Sequence, residues 1–212
     1  MGFVRSIFLG SALGAAVWGQ GSQPGALKVK GWVPFKLGAH HRLVSTHDSV
    51  AQRAFEDGLI WTFAFNHEEA LRSYREAARH DADLAMAWWG IALVNGPHIN
   101  NPTMDEAHGK AAWEALAEAK KLKENASPVE KALITALEAR YSSPPPSERK
   151  PLDEAYAKAM GEVSQRFPKD ADVAALYAEA LMDVRPWDQW TREGKPQPGT
   201  AEVLAALKRG LA

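Results

Sequence analysis

Residues 51–89, AQRAFEDGLIWTFAFNHEEALRSYREAARHDADLAMAWW, decide the fold. Gly58 and Trp61 lie three apart, and Ala70, Tyr74 and Ala77 follow at spacings of four and three. Such intervals place each set on one face of a helix. Small residues there let two helices approach, and large ones fill the space between them. Asn66-His67 interrupts the periodicity as a turn does. The spacing predicts a helix from Asp48 to Phe63, a turn at Ala64–His67 and a second helix over Glu68–His80. Trp88 opens the pattern again, which gives a repeating unit of about 34 residues.

The same template extends along the chain. In the second unit Trp88, Ile91 and Ala92 take the first-helix positions, and Ala112, Leu116 and Ala119 the second-helix positions. Ala51 to Ala70 spans 19 residues but Ala85 to Ala112 spans 27, so Asn95–Pro102 carries an insertion of about eight residues. Ser127-Pro-Val-Glu130 reads as a capping box with proline at the first helical position, opening a helix that reaches Tyr141. Residues 142–150, SSPPPSERK, form a loop, and Tyr156, Met160 and Val163 form the next triplet. A fourth unit opens at Ala171, is interrupted over Val184–Thr200 and resumes with Val203, Leu207 and Gly210.

The segments FNHEEA (65–70), AWWGIAL (87–93), GPHIN (96–100) and LMDVRPWDQW (181–190) make the pattern more specific. Over residues 47–212 the chain resembles the tetratricopeptide-repeat family, and in particular a group of long exported bacterial members. The resemblance implies an all-α, right-handed superhelix of about 3.5 helix hairpins. It also implies a scaffold that binds a protein or peptide through its concave groove, and further repeats beyond residue 212. The final apolar face lacks the polar cap that solenoids use, which fits an N-terminal portion of a longer array.

Composition and the N-terminus bound the rest. With 25 basic and 26 acidic side chains and no dense Lys/Arg run, the chain offers no nucleic-acid surface. Cysteine is absent, which removes thiolate metal sites, thiol nucleophiles and disulfides. Residues 1–19 combine a basic start, the apolar run Ile7–Val17 and small residues before Gln20. That is the layout of a secretory signal peptide, with a buried helix as the alternative. The run is shorter than the roughly 20 apolar residues a bilayer requires. The expectation is export to the periplasm or medium, no integral insertion after cleavage, and an irregular Gly/Pro-rich arm over 20–46.

The turns joining the two helices of each unit all project from one edge of such a stack. Turn-rich insertions gathered on one face mark a binding face. Here they supply Asn66, His67, Asn95, His98, Asn100 and Asn101, then Arg185, Trp187 and Asp188. Trp61 and Trp88 fall at core positions, whereas Trp89, a helix step away, is expected to line the groove. Trp187 and Trp190 are candidate aromatic anchors for a peptide or sugar. A metal-binding protein or metal-dependent enzyme is the alternative, with His47, His67 and His98 as ligands of a transition metal ion and Asp188 as a further donor. Against it stands the bland role of turn histidines and asparagines, which is to hold loop carbonyls. No Gly-x-Ser-x-Gly, phosphate loop or dinucleotide fingerprint is present.

Overall fold

Tyr74 shows how the small residues are used. Its ring is fully buried, a methyl group added at Gly58 would stand 2.7 Å from it, and one added at Gly90 only 2.5 Å. The ring fills a slot that glycine leaves open on two different helices. Its hydroxyl lies 3.0 Å from that of Thr62, so burying the phenol leaves no unmet polar group. The helices involved are α1 (Ser49–Phe63), α2 (His67–His80) and α3 (Ala85–Val94), with bounds within a residue or so of those the spacing predicts.

A computed structural model describes residues 36–211, and its regular elements are all helical. After α3 come α4 (Glu106–Leu122), a 3₁₀ turn (Lys123–Asn125), α5 (Pro128–Glu138), α6 (Lys150–Arg166), α7 (Ala171–Asp183) and α8 (Thr200–Gly210). The expected signal peptide at 1–19 and the arm before residue 36 lie outside the described residues.

Each helix packs on its sequence neighbours, and α3 also packs on α1 and α5. That central position explains the composition of α3, which is apolar on every side and buried at nine of its ten residues. The helix starts follow local rules. The side chains of Asp48, Asn66, Asp105 and Asp170 accept from first-turn N–H groups, and Ser127 and Glu130 form the expected capping box. Proline at N1 of α5 fits because that position needs no N–H. The first helix of the third unit ends earlier than expected, at Glu138, and Tyr141 lies beyond it. Among the described residues no helix is long and apolar enough to cross a membrane.

Candidate functional site

The edge where α1 turns into α2 meets the loop after α3. Asn66 N–H donates to Trp61 O (3.0 Å) and Phe65 N–H to Thr62 O (3.0 Å), the bonding pattern of a Schellman turn. Its left-handed position is filled by Phe65, φ 57°, where glycine is usual. The unfavourable backbone holds the phenyl ring 5.7 Å from the His98 ring and 6.4 Å from that of His67. The two imidazoles themselves lie 4.1 Å apart, centroid to centroid. Sequence reasoning placed these turns on a common edge, and the structure joins them.

In both rings the protonated form is disfavoured. Burial, then the charge of His98, lowers the His67 pKa to about 4, while a hydrogen bond to the Val94 carbonyl acts the other way. Burial and Arg140 lower that of His98. Its Nδ1 accepts from Asn100 N–H at 3.3 Å, and His98 and Asn101 exchange main-chain bonds of 3.0 and 2.9 Å. Asn95, buried, donates back to Ile91 O at 2.7 Å and closes α3. Asn100 and Asn101 remain exposed on the loop.

Under this loop lies a buried ionic cluster that the sequence did not announce. Arg140 donates through Nη2 to Pro97 O (2.7 Å) and to Asp183 Oδ2, and its guanidinium stacks 4.6 Å from the Tyr156 ring. Burial opposes its charge, but Asp183, Tyr141, Tyr156 and Glu179 outweigh burial, so its pKa rises. Burial pushes the Asp183 carboxyl up to about 7 against the pull of Arg140. Burial likewise raises Glu179, which accepts from Ile99 N–H on the loop. Arg149 donates to Asp153 (2.9 Å) and to Arg140 O (3.1 Å). Tyr141 reaches Ala92 O at 2.7 Å. The cluster fastens the 96–101 loop from below.

Other expected site residues separate. His47 precedes α1 while His67 follows it, and 15 helical residues put them about 22 Å apart along the axis. The set His47, His67 and His98 therefore does not form. Among the described residues no group of three or more His, Asp or Glu side chains is arranged to hold a metal ion, with or without Asp188. Trp89 is 1 % exposed and belongs to the core, so it does not line a groove. Trp88 is the half-buried one, its Nε1 donating to Ala82 O at 3.1 Å, and Trp61 is half-buried as well. Adjacent helical residues point about 100° apart, and α3, enclosed on several sides, takes the second tryptophan inward. Arg185 and Asp188 pair with each other at 3.0 Å beside Trp187, which is 76 % exposed at φ 61°.

The structure adds a second locus. Residues 40–46 belong to no helix and pass the first turns of α1, α5 and α7, bending at Ser45, where Thr46 N–H donates to Val44 O (2.8 Å). The Gln52 carboxamide of α1 donates to Arg42 O (2.7 Å) and accepts from Val44 N–H (3.1 Å), clamping the main chain of the segment. Glu130 of α5 accepts from Ser45 N–H at 2.8 Å and from the Ser45 hydroxyl. Arg42 lies between Asp170 and Asp172 of α7, with Nη1 2.9 Å from each. Thr46 donates to Asp81. The only sequence hint was that residues 36–47 contain no acidic side chain.

Comparison with family models, curated proteins and solved structures returns no match.

Proposed function

We propose that this chain is a tetratricopeptide-type scaffold, a right-handed superhelix of about 3.5 hairpins, that binds extended protein segments. In this reading it is exported and its partner is a protein or peptide. One observation carries the reading: a non-helical segment already lies across the first turns of α1, α5 and α7, held through its main chain by Gln52 and Glu130. Main-chain bonding of this kind gives affinity, and flanking side-chain contacts give specificity. The Phe65–His98 edge offers a second, aromatic contact at the far end of α1.

The test is selection from a displayed random-peptide library against the folded chain, with the site mapped by hydrogen exchange. Peptides that protect the first turns of α1, α5 and α7, or the 65–67 and 96–101 turns, are the expected result. No enrichment over an unrelated helical protein, or protection confined to α2, α4 and α6, would sink the reading.

A further inference from the structure

The segment lying on the odd helices has a chemistry of its own. From residue 36 to residue 47 the chain holds Lys36, His40, His41, Arg42 and His47 and no acid. Its own side chains donate to carboxylates, Asp81, Glu130, Asp170 and Asp172, with His41 against Glu56 and His40 3.1 Å from Asp172. Arg42 is 9 % exposed at its side chain and takes both oxygens of Asp170, at 2.9 and 3.1 Å. Such a forked pairing recognises a guanidinium rather than positive charge in general. Three residues on, Ser45 presents two donors to Glu130, which is 1 % exposed.

The same segment contributes little to the apolar core. Val44 is its one buried apolar residue, and Leu43 is 75 % exposed. A cleft of about 640 Å³ opens between His40–Arg42 and Phe167–Asp172, beside the arginine site. Polar contacts exchange at small net cost when an incoming group supplies the same bonds, and at large cost when buried acceptors are left bare. Glu130 and Asp172 are buried and Asp170 part-buried, so these carboxylates select for a replacement of matching chemistry.

We propose that residues 40–46 are an internal ligand, and that the partner is an extended protein segment carrying arginine followed three residues on by serine or threonine. The proposal rests on the peptide-binding reading and names the partner's class. Such a segment enters at the cleft, takes the Asp170–Asp172 fork, and displaces Arg42 and then Ser45. The seated segment keeps the site closed to weaker sequences.

The probe is a fluorescein-labelled peptide of residues 38–47, followed by anisotropy. The Arg42→Ala chain is expected to bind it at least tenfold more tightly than the unaltered chain. A peptide with alanine in place of its arginine is expected to lose at least tenfold. Adding Asp170→Asn and Asp172→Asn to the Arg42→Ala chain should remove binding. A measurement on the unaltered chain needs no variant: excess peptide should speed amide exchange at Val44 and Ser45 while leaving helix amides unchanged. Equal binding by the two chains, indifference to the peptide's arginine, or unchanged exchange at Val44 and Ser45 overturns the proposal. So does loss of the helical circular dichroism signal in Arg42→Ala, because the segment would then be part of the fold. Library-selected ligands that seat on α1, α5 and α7 but lack arginine would overturn this inference and leave the peptide-binding function standing.

Discussion

Arg140→Met isolates the role of the buried ionic cluster. Methionine keeps most of the aliphatic stem, so little volume is lost. Three interactions go: the bond to Pro97 O, the pairing with Asp183 and the stacking on Tyr156. The larger effect is on what remains. Asp183 Oδ1 has no hydrogen-bond partner, and without Arg140 the whole carboxylate is stranded with Glu179 beside it. Removing one partner of a buried pair costs about 3–5 kcal/mol. Against a typical domain stability of about 5–15 kcal/mol, the variant should stay folded but visibly weakened.

Urea unfolding followed by circular dichroism gives the number. The double variant Arg140→Met/Asp183→Leu should recover most of the loss, since the unpaired charge is gone. Lowering the pH from 7 to 5 should also recover part of the loss in the single variant. Asp183 already has its pKa raised, so the folded state binds a proton that the unfolded state releases, and stability falls as pH rises between about 4 and 7. Without Arg140 that fall should extend above pH 7. A loss below about 1 kcal/mol in Arg140→Met, or a double variant no better than the single, would refute the reasoning.

Two further outcomes follow from other parts of the stack. Gly90→Ala sets a methyl 2.5 Å from a ring that also lies against Gly58. The net loss in urea should be about 1–3 kcal/mol despite alanine's better helix propensity, whereas Gly109→Ala, facing only the end of Met104 at 3.2 Å, should be near neutral. For His67 the folded pKa of about 4 lies below its unfolded value. Between those values the unfolded state holds the extra proton, so this histidine contributes stability that rises with pH from about 4 to 6.5. His67→Gln should flatten that rise in thermal melts across the window, and an unchanged pH profile would show that His67 is not buried as described.

Helix positions were readable because short-range periodicity and capping chemistry set them: the 70-74-77 triplet and the Ser127–Glu130 box act within a few residues. The turn edge was readable for the same reason, since a regular stack puts Asn66-His67 and the 96–101 loop on one side. The choice between Trp88 and Trp89 was not, because a helix enclosed by four others has no single apolar face to read. His47 was misplaced because a sequence motif carries no axial distance. Arg140 and Arg42 were missed outright. Their partners Asp183, Asp170 and Asp172 lie 43 to 130 residues away, and a lone arginine in a sequence looks like a solvated one.

Arg42 and its acceptors are separated by 128 and 130 residues, which has a consequence for the order of events during synthesis. Early hairpins form from local contacts as the chain emerges, N-terminal units first. The segment around Arg42 is made before any of them, yet the fork that receives it is finished only when α7 has folded. Until α7 is made the earlier segment has nowhere to place its arginine, and its seating ties the start of the stack to its fourth unit.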